Sequence, residues 1–425
     1  MKKFLRKAVL FVLKKLAFHR LKKFKGNVVA VTGSIGKTST KEAIYSVLNS
    51  QFKVKSTKKS MNSEFGLLLT ILDIESGYSS AYKWSWLILK AIYNALLKDH
   101  SEILLLELGV DKPGDMDYLT SIIKPDVAVM TNIFPVHMEV GQFDSLQAIF
   151  DEKRKIVDNM KSDGVAVLNI DNPFLAMFAQ KRGKKNTITY GKEKEAMFRA
   201  SALHLSEGGV SFILHFGEEK YEVTSSVLGE FQLYVLLPAI VCGKLLGMTI
   251  ENCVTALQRY ELPPGRMSII PAVNEAVILD SSYNSSPEPL REALKVLKEI
   301  GVTKRKVAVL GNMNELGHNA KELHEQVGEI IPEYVDFLIT VGEEAKMFAN
   351  KAKEKGMEAS NVHSFDSALE AAEFFKDKID RNDLILVKGS QNKVRLERFI
   401  REIMAHPEDA EKLLVRQENV WKDIV

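Results

Sequence analysis

The chain has 425 residues, enough for two or three domains that each bury a core. Hydrophobic residues make up 46% and charged residues 27%, as in ordinary globular proteins, and the two cysteines exclude a disulfide scaffold. The net charge of +3 conceals ten Lys or Arg and no acid in residues 1–25, so the remainder is net acidic and nucleic acid is excluded as the main partner. Cys242 and Cys253 show no metal-ligand spacing and read as buried thiols of a cytoplasmic protein.

Residues 1–25 predict a basic amphipathic helix, with Leu5, Val9, Val12, Leu13 and Leu16 on one side and lysines largely opposite. Its apolar run, Ala8 to Leu13, falls far short of the roughly 20 residues that span a bilayer, and no signal-peptide cleavage site follows. Two readings stand: a peripheral anchor on the anionic inner face of the membrane, or a helix packed on the body with solvated lysines.

A buried strand, Val28 to Val31, then runs into Thr32-Gly33-Ser34-Ile35-Gly36-Lys37-Thr38, with a helix expected from Ser39. Strand, glycine loop, Lys-Thr and helix form a phosphate cradle. The glycines let backbone N–H groups approach phosphate oxygens, and the helix N-terminus adds partial positive charge. Lys37 would meet the β- and γ-phosphates of ATP, and the Thr38 hydroxyl a magnesium ion. The glycine usual five positions before the Gly-Lys pair is replaced by Val31.

Phe52 to Ser56 predicts a second strand, followed by a polar turn holding Asn62 and Gly66. Trp84 to Leu97 is helical and apolar, and reads as core because Lys90 and Asn94 interrupt it. The strand Ile103 to Leu108 carries Glu107 near its carboxyl end, the usual place for a magnesium ligand beside a phosphate loop. Asp126 to Ile133 is another buried strand, and His137 beyond it reads as a second metal ligand or an ordinary loop histidine. Lys153, Arg154 and Lys155 lie in a helical stretch, where composition alone reads a solvated face. Residues 186–228 break into short β pieces, a small antiparallel addition to the parallel sheet. After the linker-like Leu262-Pro-Pro-Gly-Arg266, alternating strands and helices predict a smaller Rossmann-like α/β domain. The polar tail carries Trp421, expected to tuck back onto the body.

These motifs, in this order, resemble the Mur ligase family, in particular the type that adds D-alanyl-D-alanine to a muramoyl tripeptide. The resemblance covers residues 27 to about 405. Thr32 to Thr38 matches its ATP loop, Asn62-Ser-Glu-Phe-Gly66 a substrate-side turn, and Glu107-Leu-Gly109 a magnesium-binding segment. Thr131-Asn132 with His137 implies that His137 serves a second magnesium ion, and the family's carbamylated lysine falls on Lys153, with Lys155 as its neighbour. Gln232 is implied near the adenine, Arg266 on phosphate and Asp280 near the ribose, completing an ATP set with Thr32 to Ser39. Tyr283, Asn284, Lys388 and Ser390 are implied on the substrate side, and Asn312 and His324 fall in further C-terminal signatures. Ser281, Asn312, Phe231 and Gln391 depart from the family pattern. The family's N-terminal UDP-sugar-binding domain is expected to be missing, since only one helix precedes the ATP loop.

The resemblance implies residues 26–262 as a central P-loop-type ATPase domain and 263–407 as a C-terminal domain, with 1–25 a helix and 408–425 a tail. It implies ATP, two Mg2+ ions and carbamylated Lys153, with Lys37, His137 and Lys153 as the catalytic set. A muramoyl-peptide carboxylate would be activated as an acyl phosphate and captured by an amine such as D-alanyl-D-alanine. Two alternatives remain: an amide ligase of the same superfamily acting on a folate-like or polyamide acceptor, and a catalytically weak nucleotide-binding module that recruits wall-synthesis partners.

Overall fold

The computed structural model describes residues 3–57, 62–77, 81–135, 141–184, 186–206, 208–314, 316–390, 394–418 and 421. Two α/β layers are built on separate sheets. Strands β1 (Asn27–Thr32), β2 (Val54–Ser56), β3 (Ile103–Glu107), β4 (Val127–Met130), β5 (Val165–Asn169), β6 (Thr187–Gly191), β7 (Phe198–Ser206), β8 (Gly209–Phe216) and β9 (Glu219–Ser225) form the first, in the order β2-β3-β1-β4-β5-β6-β7-β8-β9. Pairing is parallel from β2 through β7, and β8 and β9 extend it antiparallel. The antiparallel pieces expected in residues 186–228 are appended to the parallel sheet as β8 and β9, while β6 and β7 join it in parallel.

Both faces of this sheet are covered, which is why its central strands read as unbroken apolar runs. Side chains alternate along β1: Val28 and Ala30 enter one core, Val29 and Val31 the other. The first core is closed by α1 (Lys3–Lys23), α3 (Glu64–Leu72), α4 (Ala81–Leu96), α5 (Asp115–Ile122), α6 (Leu146–Asp158) and α7 (Pro173–Arg182). The second is closed by α2 (Lys37–Asn49), which follows β1 directly, with α8 (Leu233–Leu245) and α9 (Ile250–Leu257).

The second sheet has the order β10-β11-β15-β12-β13-β14, from β10 (Ser268–Pro271), β11 (Val277–Ser281), β12 (Arg305–Gly311), β13 (Phe337–Val341), β14 (Val362–Phe365) and β15 (Asp383–Lys388). Only β10 runs antiparallel. This is the Rossmann-like arrangement expected of the C-terminal half. The edge strands β10 and β14 escaped the sequence reading because each is four residues long, one ending in Pro271 and the other carrying His363 and Ser364.

Two helices need comment. Val9, Leu13 and Ala17 of α1 are buried in the first core, which matches the packed-helix reading of residues 1–25. For α4, only one face is core: Trp84, Ala91 and Ala95 are buried, while Tyr82, Trp86, Leu89, Tyr93 and Leu96 are exposed. The expectation of a core helix over Trp84 to Leu97 is thus corrected to a helix apolar on both sides. Among the described residues no helix is long and apolar enough to cross a membrane. Because Leu13 is fully enclosed, Leu13→Ala should cost about 3 kcal/mol in chemical denaturation, against less than about 0.5 kcal/mol for the exposed Phe11→Ala.

Candidate active site

Parallel pairing places β3 and β4 on either side of β1, so the ends of all three strands converge on the glycine loop. Gly36 sits at φ 82°, a left-handed conformation that glycine adopts without strain, and begins α2. At Gly33 a Cβ would lie 2.0 Å from Thr131 Oγ1, so no other residue fits there. Ser34 N–H donates to the Asn132 carbonyl (2.7 Å), and Thr131 Oγ1 donates to the Ile35 carbonyl (2.7 Å). Lys37 Nζ folds back onto the loop, donating to the carbonyls of Gly33 (2.9 Å) and Ser34 (3.1 Å).

The loop opens into a cleft of about 720 Å3 between the two α/β layers. Ligands of open α/β sheets gather beyond the carboxyl ends of strands, and both sheets present such ends here. From the first layer come Ser34 to Ser39, Asn62, Glu107, Asp171 and Gln232; from the second come Arg266, Tyr283, Asn284 and Lys388. Arg266 Nη2 reaches across it from the second layer to donate to Thr38 Oγ1 (3.1 Å), while within the first layer Tyr260 OH donates to the Ser39 carbonyl (2.8 Å). Arg266 also lies 4.1 Å from the centre of the Tyr283 ring, a cation–π contact. Arg416 holds Tyr283 from behind, donating to the carbonyls of Tyr283 (2.5 Å) and Ser282 (3.3 Å) and to Glu397 Oε2 (3.2 Å).

Glu107 is buried in the wall of the cleft. Asn62 Nδ2 donates to its Oε1 (2.9 Å), while Oε2 has no partner among the described residues. Lys153, on α6, is fully buried, and among the described residues its Nζ has no partner either. Burial first, then the charge of Lys37, pushes Lys153 well below the ordinary lysine range, partly opposed by Asp111 and Glu152. The neighbouring Lys155 differs in every respect: it is half-exposed and bound to Asp117 (2.7 Å) and Glu152 (2.8 Å). The solvated-face reading of the run therefore fails for Lys153, because the helix turns it inward.

Lys388 Nζ donates to Ser281 Oγ (3.1 Å) and the Asn284 carbonyl (3.0 Å), and burial with the Arg266 charge brings its pKa down to about 7. Several expected site residues stand behind the cleft wall instead. Thr32 Oγ1 donates to the Leu108 carbonyl (2.8 Å). Ser390 Oγ accepts from Asn314 N–H (2.9 Å) and donates to the Ser285 carbonyl (3.0 Å). Asp280 is fully buried, accepting from the N–H groups of Ser282 (2.9 Å) and Gly265 (3.1 Å), and so braces the Arg266 and Tyr283 turns. Buried His324 accepts at Nε2 from Met313 N–H (3.0 Å), a loop-bracing role. His137 and Gln391 lie outside the described residues.

Sequence reasoning passed over Asp171 and Tyr234. Tyr234 OH donates to Asp171 Oδ2 (2.9 Å), and Asp171 also accepts the N–H groups of Lys192 (2.7 Å) and Glu193 (3.0 Å). An acid just past a strand end is the same signal that picked out Glu107. Phe231 stands beside the loop, its Cε1 3.3 Å from where a Cβ on Gly36 would be.

A family model for the Mur ligase middle domain matches residues 31–243, half of the chain. The chain belongs to the Mur ligase family. A second model, for the Mur ligase glutamate ligase domain, matches residues 265–391. Among curated relatives, the UDP-N-acetylmuramoyl-tripeptide--D-alanyl-D-alanine ligase of Bacillus subtilis is 28% identical over 399 residues, 94% of this chain and 80% of the relative. The ligase of the same name from Rickettsia prowazekii is 27% identical, over 91% of this chain and 80% of its own. Among solved structures, a MurF ligase from Thermotoga maritima in complex with ADP aligns with a TM-score of 0.77 at 28% identity, covering 95% of this chain and 84% of that one. MurF from Acinetobacter baumannii, at 24% identity and TM-score 0.76 over 91% of this chain and 79% of its own, shows the same fold. As a Mur ligase, the chain is an ATP-dependent enzyme that forms an amide bond, and it uses ATP with Mg2+.

Burial lifts the Asp280 carboxyl to about 6, above the roughly 3.9 of an unfolded chain. The folded state then holds the extra proton, so the stability this group contributes is complete below pH 4 and is lost as pH rises through 6. Relative to Asp280→Asn, the wild type should lose about 2 kcal/mol of unfolding stability between pH 4 and pH 7, measured by urea titration at each pH.

Proposed function

We propose that this Mur ligase joins the terminal carboxylate of a muramoyl tripeptide to the amino group of D-alanyl-D-alanine. What supports the reading is that relatives bearing that activity in their names align over almost the whole chain, including both sides of the cleft. A carboxylate is a poor acyl donor because oxide would have to leave. Attack of its oxygen on the γ-phosphorus breaks the bond to ADP and forms an acyl phosphate. The amine then attacks the acyl carbon, loses a proton, and phosphate departs. Such transfers need positioning and charge neutralisation more than covalent help from protein. Lys37 and Arg266 supply fixed positive charge on the two sides of the phosphate path, and Lys388 and Tyr283 form the wall where the amine would enter.

The donor set fits magnesium. Glu107 Oε2 is a buried carboxylate oxygen without a partner among the described residues, an arrangement that costs stability unless a cation meets it. Thr38 Oγ1, Glu107 Oε2 and an oxygen carried by Lys153 would hold the ions, with His137 completing the second site. Bound there, the ions would neutralise charge on the β- and γ-phosphates. Lys153 fits carbamylation for a separate reason: only a neutral amine adds carbon dioxide, and its buried, unpartnered Nζ beside Lys37 favours the neutral form before addition and an anion afterwards. We further propose that residues 1–25 make an electrostatic contact with an anionic membrane surface through the lysines opposite Leu13.

Phosphate release with ATP, muramoyl tripeptide and D-alanyl-D-alanine tests the reaction. Turnover with another acceptor pair, and none with this one, would overturn the substrate assignment. Lys37→Ala should lower acceptor-dependent release by at least about 1,000-fold (roughly 4 kcal/mol). Lys153→Ala should lose activity by at least about 100-fold and regain part of it with formate or acetate. Rescue of Lys155→Ala instead would move the carbamate to that residue.

A further inference from the structure

The outward stripe of α4 is a feature the ligase reaction does not use. Tyr82, Trp86, Leu89, Tyr93 and Leu96 recur at alternating spacings of four and three residues, so they stack along one side of the helix. Each is more than 60% exposed, although Trp84, Ala91 and Ala95 on the opposite side already anchor α4 in the core. Scattered apolar side chains are normal on a surface, but a continuous stripe of this kind marks a contact.

The neighbouring helix indicates the chemistry of that contact. Helix α1 lies beside α4 in the same direction. At one end Arg6 stacks on Phe65 (5.3 Å), which in turn packs on Trp84 (5.8 Å); at the other, Lys23 Nζ donates to the carbonyls of Leu96 (3.3 Å) and Ala95 (3.4 Å). Neither helix contains an acid, and Lys83 and Lys90 flank the stripe. Two acids beside the pair are neutralised, Glu64 by Arg6 (2.9 Å) and Asp99 by Arg20 (3.1 Å) and Lys55 (3.2 Å). Phe11 of α1 is exposed as well.

We propose that α1 and α4 form a docking face for an anionic lipid surface, with the α4 stripe entering the headgroup region and the α1 lysines meeting the lipid charge. This deepens the contact proposed for residues 1–25 by adding an inserting element. Tryptophan and tyrosine favour the interfacial zone, where an apolar ring and a polar edge are both satisfied. Each nearby lysine adds electrostatic attraction to an anionic leaflet. A second copy of the chain fits less well, because a two-fold contact would set these same-sign lysines against each other.

The test is co-sedimentation of the full chain with vesicles. Binding is expected to phosphatidylglycerol-containing vesicles and not to pure phosphatidylcholine, with brominated lipid quenching Trp86 emission. Leu89→Glu with Tyr93→Glu should weaken vesicle binding at least 10-fold and leave phosphate release in solution unchanged, both positions being exposed and remote from the cleft. Vesicle binding undiminished in that double variant would overturn insertion by α4. So would a lipid-free dimer, in sedimentation equilibrium, that the same substitutions dissociate. Because ligase turnover is read separately, failure here leaves the reaction standing, and loss of turnover in the wild type leaves this proposal standing.

Discussion

The loop between β1 and α2 can hold phosphate only because Gly33 has no side chain. Its backbone is pressed against Thr131 Oγ1, and the Asn132 carbonyl takes the next N–H, so the end of β4 clamps the loop. On the other flank, β3 ends on Glu107, delivered by parallel register opposite Val31. One pairing pattern therefore fixes the loop, its clamp and the carboxylate. If β1 slipped by one residue, its alternate side chains would exchange cores and the carboxylate would lose its place beside the loop.

A bond between the two layers falls at the chemistry. Arg266 reaches from the C-terminal half to the hydroxyl that follows Lys37, so the approach of the layers is measured at the phosphate loop itself. Lys37, Arg266 and Lys388 line the cleft together with Glu107, whose Oε2 has no partner among the described residues. Unsatisfied buried polar atoms are uncommon in folded proteins and cost stability, so a carboxylate oxygen of this kind in the cleft wall is suited to meet a cation.

Much of this was legible in the sequence. Buried parallel strands announce themselves as apolar runs, and glycine with Lys-Thr between a strand and a helix has few other uses. The side-chain destinations were less legible. Lys153 reads as one more charge in a basic run, and only the packing of α6 shows that it faces inward while Lys155 faces Asp117. Asp280 was expected near a ribose, yet it serves as the brace of two turns, because an acid at a strand end can point into the loops behind it as readily as into the cleft. For α4, an apolar composition hid the fact that one helix can be apolar on two sides and buried on one.

The last described stretch of the chain bears on the cleft from a distance. Arg416, at φ 58°, joins Glu397 to the backbone of Tyr283, and the Trp421 carbonyl accepts from Arg395 at 2.8 Å. The docked tail and the cleft-facing position of Tyr283 are thus two readouts of one local equilibrium. Linkage makes the coupling reciprocal: whatever ligand orders Tyr283 tightens the tail by the same free energy, and whatever loosens the tail weakens that ligand. A segment that touches no substrate would then behave as a thermodynamic gauge of occupancy.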